Sequence, residues 1–130
     1  MQTYKVTVNE NKTICWYNKK DQLHRLDGPA IEDVGGRKEW WVKGKLHRLD
    51  GPAIEYADGC KIWYVESKLH RLDGPAVEHA GGRNEWYVNG KRHRLDGPAI
   101  EWADGNKSWY VEDKKMTEEE FKAYIYKNLN

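Results

Sequence analysis

His47-Arg48-Leu49-Asp50-Gly51-Pro52-Ala53-Ile54-Glu55-Tyr56-Ala57-Asp58-Gly59-Cys60-Lys61-Ile62-Trp63-Tyr64-Val65-Glu66-Ser67-Lys68-Leu69 is the second of four 23-residue blocks that run from His24 to Lys115 without a gap. Twelve of the 23 columns are identical in all four blocks, and the blocks contain all four prolines and all twelve glycines of the chain. Such a period marks a structural unit that stacks on copies of itself. Within the block, Pro52–Tyr56 and Lys61–Val65 are rich in β-branched and aromatic residues and flank Asp58-Gly59, which predicts a β-hairpin. Gly35-Gly36, Gly81-Gly82 and Asp104-Gly105 hold the same place in the other blocks and suit a two-residue primed turn. A second turn signal follows at Lys43-Gly44, Glu66-Ser67, Asn89-Gly90 and Glu112-Asp113. The chain is therefore expected to meander antiparallel.

A two-residue turn at Asp58-Gly59 sets Ile54 opposite Trp63, Tyr56 opposite Lys61 and Pro52 opposite Val65, collecting these groups on a core face. Ala53, Glu55 and Tyr64 then share the exposed face with the Ile62 column, which holds Glu39, Glu85 and Ser108 elsewhere. A one-residue bulge at the turn would reverse every assignment. With strands about 4.8 Å apart, blocks recur about every 10 Å and four of them make a sheet of about 40 Å.

Outside the blocks lie two caps, so the 130 residues are read as one repeat domain: 1–22 a capping hairpin, 23–115 the repeats, 116–130 a capping α-helix. The fold class is all-β, an elongated antiparallel hairpin-repeat sheet. Tyr4–Val8, an Asn9–Lys12 turn and Thr13–Tyr17 form the N-terminal hairpin. Thr117-Glu118-Glu119-Glu120 is a capping box, Met116 and Phe121 form its staple, and Phe121, Tyr124, Ile125 and Leu129 make an apolar stripe. Capped ends oppose open-ended strand addition.

Composition narrows the class further. The mean hydropathy of −1.00 belongs to a very polar chain, yet seven Trp and eight Tyr against one Phe demand a folded, aromatic core. Lys+Arg 22 against Asp+Glu 21 gives a net charge of +1, which argues against general nucleic-acid binding. No apolar run reaches membrane-spanning length, and Met1–Val6 has no signal-peptide shape, so a cytoplasmic protein without membrane partners is expected. Cys15 and Cys60 stand in unlike contexts and suggest neither a disulfide framework nor a metal cage.

Trp86-Tyr87-Val88-Asn89-Gly90-Lys91 resembles the aromatic pair and turn of MORN-type and MORN-like hairpin repeats. The HRLDGPA-x-E-x-x-x-G…W-[WY]-V block, over residues 23–115, looks like the repeat of many phage and giant-virus proteins, whose usual ending the Met-Thr-Glu-Glu-Glu-Phe helix also resembles. The blocks depart from true MORN units in carrying His-Arg-x-Asp-Gly-Pro and less glycine. The resemblance implies a repeat fold, a viral setting in a host cytoplasm and no reaction.

Candidate chemistry recurs with the period. His24, His47, His70 and His93 precede Asp27, Asp50, Asp73 and Asp96 by three residues, the spacing of a base and its orienting carboxylate. Catalysis needs one asymmetric constellation rather than four copies, so a turn-bracing role is expected and no catalytic residue is assigned. Neighbouring histidines about 10 Å apart cannot share a zinc ion, whose Zn–N bonds are about 2.1 Å, and no metal or cofactor is expected. Arg25, Arg48, Arg71 and Arg94 stack in register with Glu32, Glu55, Glu78 and Glu101. They form either an ion-pair ladder or a set of free planar forks suited to phosphate. Trp40, Trp63, Trp86 and Trp109 are expected in the core, and Trp41, Tyr64, Tyr87 and Tyr110 on the opposite face, where a row of aromatics is a binding surface. Arg48, Arg71, Arg94, Trp41, Tyr64, Tyr87 and Tyr110 are accordingly the candidate ligand-binding residues. Asp33, Tyr56, His79 and Trp102 form the most variable column, the kind that adapts repeats to their contacts. The expected function is non-catalytic: a virus-encoded inhibitor of host defence that sequesters an anionic nucleotide-like ligand. The alternative is a module that covers a host protein through its sheet face or assembles into a homo-oligomer.

Overall fold

A computed structural model describes residues 4–129. Residues 1–3 and Asn130, assigned above to the two caps, lie outside the described residues. The N-terminal cap supplies β1 (Lys5–Val8) and β2 (Ile14–Tyr17). Block one supplies β3 (Ile31–Glu32), β4 (Lys38–Glu39), β5 (Trp41–Val42) and β6 (Lys45–Leu46). Block two repeats them as β7 (Ile54–Glu55), β8 (Lys61–Ile62), β9 (Tyr64–Val65) and β10 (Lys68–Leu69). In block three they are β11 (Val77–Glu78), β12 (Asn84–Glu85), β13 (Tyr87–Val88) and β14 (Lys91–Arg92). Block four has β15 (Ile100–Glu101), a longer β16 (Lys107–Val111) and β17 (Lys114–Met116), and α1 (Glu118–Leu129) follows.

Eleven strands form one antiparallel sheet in the order β1-β2-β3-β4-β7-β8-β11-β12-β15-β16-β17, and β5-β6, β9-β10 and β13-β14 are side hairpins. The all-β hairpin repeat with a C-terminal helix is thus present. Blocks one to three each give two short strands to the long sheet and then a hairpin that branches from it at the tryptophan, whereas in block four β16 runs unbroken through Trp109 and β17 stays in the long sheet. The side hairpins close with two-residue turns in which both central residues have positive φ, as at Glu66 (52°) and Ser67 (62°), the geometry of a type I′ turn. Their tips are stitched across blocks: Ser67 N–H donates to Leu46 O at 2.8 Å, and Gly90 N–H to Leu69 O at 2.8 Å.

The first turn differs from the expectation. Ile54 pairs with Ile62 and Glu55 with Lys61, and Tyr56 N–H donates to Cys60 O at 2.9 Å, so three residues close the hairpin. Gly59 alone takes positive φ (97°) while Asp58 does not: a type I turn followed by a left-handed glycine replaces the primed turn. The extra residue exchanges the faces, as the alternation of strand side chains requires. Tyr64 shares a face with Ile54 and Ile62, while Trp63 lies with Glu55 on the other. Tryptophans 40, 63, 86 and 109 are half-buried and do not form the core. Within the sheet the most buried apolar side chains are small or aliphatic, namely Ala30, Ala53, Ala76 and Ala99 at 0% exposure with Ile54, Val77, Ile100 and Val111, and Phe121 of the helix joins them. Among the described residues no large side chain is fully enclosed, and the surface of 8392 Å² exceeds the about 7,100 Å² of a compact monomer of this mass.

Both caps reuse the repeat's bonding. Trp16 N–H donates to Ala30 O and Trp16 O accepts from His24 N–H, as Trp40 does with Ala53 and His47. Tyr4 packs edge-on against Trp16 with ring centres 5.1 Å apart, and its hydroxyl accepts Leu26 N–H. At the other end Met116 pairs with Trp109 in β17. There α1 opens on the capping box: Thr117 N–H donates to Glu120 Oε1 at 2.8 Å and Glu120 N–H to Thr117 Oγ1 at 3.1 Å. Phe121 is buried.

The hydrogen bond from the Thr117 backbone, then the threonine hydroxyl, lowers the Glu120 pKa below its ordinary value. A depressed folded-state pKa adds stability above the unfolded value, and that stability is lost as pH falls through the folded value. Glu120→Gln should therefore be less helical at 222 nm and lower-melting than the parent near pH 6, with the two converging as pH falls through the folded-state value. A constant difference across that range would show that the carboxylate charge takes no part.

Candidate functional site

The register sorts the sequence columns onto two faces. One carries Glu32, Lys38, Glu55, Lys61, Glu78, Asn84, Glu101 and Lys107 directly opposite one another across successive strands. This alternation of charge is nearly invariant from block to block, and the invariant tryptophans and valines share its parity.

On this constant face each block's arginine lies over the tryptophan of the unit before it. Arg48 Cζ stands 3.8 Å from the Trp40 ring centre, Arg71 3.9 Å from Trp63 and Arg94 3.8 Å from Trp86. Arg25 lies 3.9 Å over Trp16 in the cap. The fork is engaged through two of its nitrogens: Arg71 Nε donates to Asp73 Oδ1 at 3.0 Å, and Nη1 donates to Pro75 O at 3.0 Å and reaches Glu78 Oε1 at 3.5 Å. Glycine is required behind it, because a Cβ on Gly74 would stand 2.7 Å from Arg71 Cζ. The histidines also serve the frame. Nδ1 of His24, His47, His70 and His93 accepts the backbone N–H of Lys43, Glu66, Asn89 and Glu112 at 2.9–3.1 Å, which fixes the side-hairpin turns. Among the described residues no group of His, Cys, Asp or Glu is placed to hold a metal ion, and no helix is long and apolar enough to cross a membrane.

The opposite face gathers the columns that differ. Asp33, Tyr56, His79 and Trp102 lie here, across the turn from Arg37, Cys60, Arg83 and Asn106. Glu39, Ile62, Glu85 and Ser108 share the face through their partners Ile31, Ile54, Val77 and Ile100. Trp41, Tyr64, Tyr87 and Tyr110 complete it: Trp41 Nε1 donates to Glu39 Oε1 at 2.9 Å and Tyr87 OH to Glu85 Oε1 at 3.2 Å. Opposite them stand Leu46, Leu69, Arg92 and Lys115. The aromatic half of the candidate site therefore lies on the variable face, half-buried. The arginine half, Arg48, Arg71 and Arg94, lies on the other face, so the seven residues do not form one cluster.

Charge grades along the variable face. In block one the single guanidinium of Arg37 meets two carboxylates, Asp33 at 3.5 Å and Glu39 at 3.1 Å. Block two presents the uncharged Tyr56, Cys60, Ile62 and Tyr64. In block three the relation inverts: Arg83 and Arg92 surround one carboxylate, Glu85, at 3.4 Å and 4.0 Å. His79 Nε2 lies 2.9 Å from the same carboxylate and 2.9 Å from Arg83 Nη2. Arg92 sits between two rings, 5.8 Å from Tyr87 and 5.3 Å from Tyr110. Its Nε is buried with no hydrogen-bond partner, although the side chain is 39% exposed. Burial, then the charge of Glu85, raises the Tyr87 pKa, and burial followed by Tyr56 raises that of Tyr64, so both phenols remain protonated donors at neutral pH.

Sequence reasoning missed Arg83, Glu85 and Arg92. The signal was available at position 92, where arginine replaces the leucine of blocks one and two. Compared with models of known families, with curated proteins and with solved structures, the chain has no significant match.

Proposed function

We propose that this protein is a non-catalytic binding protein that captures an anionic, nucleotide-type ligand on its variable aromatic face. The observation that carries this reading is the surplus of positive charge around Arg92, set between Tyr87 and Tyr110 on a face where block-to-block variation is concentrated. A planar fork between aromatic rings suits a phosphate next to a base that stacks. Arg83 and Lys115 extend the positive region, and uncharged block two offers Tyr64 and Tyr56 to a ring. A repeat frame held by internal bonds leaves this face free to specialise, as in other stacked-repeat binders. In the viral setting implied by the block resemblance, the ligand would be a defence signal of the host and the protein its sink.

Calorimetric and thermal-shift titration against cyclic nucleotides and ADP-ribose tests the reading. Saturable stabilisation is expected, with ligand recovered chemically unchanged after denaturation. Arg92→Met should weaken binding by about tenfold or more while leaving the melting temperature of the free protein near that of the parent. Equal binding by parent and variant would remove Arg92 from the site. Conversion of the ligand would make the protein an enzyme.

A further inference from the structure

The HRLDGPA motif contains one residue that the fold does not use. Histidine holds a turn, arginine covers a tryptophan, aspartate and the proline carbonyl receive its fork, glycine leaves it room, and alanine is fully enclosed. The leucine does none of this: Leu26, Leu49 and Leu72 are 57%, 79% and 80% exposed. Leu95 in block four is half-buried, but an apolar side chain repeated at one exposed position of three successive blocks gains nothing from the interior and faces outward in a row.

These leucines bound a series of like grooves on the constant face. Leu26 and Leu49 flank one of about 570 Å³, Leu49 and Leu72 one of about 690 Å³, and Leu72 and Leu95 one of about 600 Å³. Their floors are Trp40 and Val42, Trp63 and Val65, and Trp86 and Val88. On the rims the arginines are withdrawn, with side chains 18–23% exposed, while Asp27, Asp50, Asp73 and Asp96 are 72–88% exposed. What meets a visitor is leucine and carboxylate, at a spacing of about 10 Å.

We infer that this row of leucine-flanked grooves docks a basic amphipathic α-helix of a partner protein, whose apolar side chains recur every seventh residue. On a helix, residues i and i+7 lie about 10.5 Å apart on nearly one face, which matches the block spacing over three grooves. Lysines or arginines beside them meet the aspartates. A flat extended strand does not fit, since its same-face side chains recur at about 6.7 Å. A second copy of this chain matches the spacing but sets aspartate row against aspartate row.

The surface lies opposite Arg92, so its test is independent of the ligand reading. The probe is a synthetic 20-residue helix with leucine at every seventh position flanked by lysines, followed by fluorescence anisotropy. Three comparison peptides carry glutamate for lysine, a scrambled order, or a polyproline frame of about 9.3 Å repeat. The lysine helix should bind best, weaken with salt, and lose about tenfold or more in affinity to Leu49→Ser/Leu72→Ser protein whose melting temperature is unchanged. Arg92→Met protein should bind it like the parent. The inference is overturned if the lysine helix binds no better than its glutamate or scrambled counterpart, or if the polyproline peptide is preferred. It is also overturned if sedimentation shows a dimer that Leu49→Ser/Leu72→Ser abolishes.

Discussion

Arg71→Ala should lower the unfolding free energy by about 3 kcal/mol, measured by urea denaturation at neutral pH. The guanidinium lies 3.9 Å over Trp63, and its removal uncovers that ring while leaving the Pro75 carbonyl and the half-buried Glu78 without a donor. The ion pair with Asp73 contributes little, because that carboxylate is 88% exposed. Arg71→Lys should recover charge but not the planar fork, restoring less than half of the lost stability. The residue is on the face opposite Arg92, so folded Arg71→Ala protein should bind nucleotide ligand as the parent does. A change in stability below about 0.5 kcal/mol would mean that the stack is incidental to folding.

Gly74→Ala should cost about 2 kcal/mol in the parent and almost nothing in an Arg71→Ala background. An added Cβ stands 2.7 Å from Arg71 Cζ and 3.0 Å from Nε and Nη1. The fork cannot step aside, because the Trp63 ring lies on its other side and Asp73 and Pro75 hold its edge. Crowding in so confined a site is destabilising. With the arginine gone the obstacle goes too, and alanine then restricts the unfolded chain slightly more than glycine. A double-mutant cycle reads this as a coupling of about 2 kcal/mol. An equal cost in both backgrounds would assign the glycine to backbone conformation rather than to space.

The unit, its number and both caps were legible because the period is written in identical residues and the capping box in adjacent ones. The faces were not, because they turn on one residue of loop length. Gly36, Gly59, Gly82 and Gly105 are constant while the preceding residue alternates between glycine and aspartate, the pattern of a turn that needs positive φ once rather than twice. That detail moved Tyr64 to the aliphatic side and Trp63 to the arginine side. Of the two readings left open for the arginines, the structure has the engaged one, with Arg71 bonded to Asp73 and Glu78. Reuse of the stack by Trp16 was hidden by the longer Asn18–Gln22 connection after it. The convergence of Arg83, Glu85 and Arg92 depends on residues in two strands and a turn, and the spacing within a block does not reveal it.

Every seam between repeats joins an arginine from one unit to a tryptophan from the unit before, and the first block borrows its tryptophan from the N-terminal cap. Gene duplication or loss of 69 nucleotides, three for each residue of a 23-residue block, would therefore yield a longer or shorter protein whose joints are chemically the same. Size in such a lineage can drift by whole increments, with specificity rewritten one increment at a time.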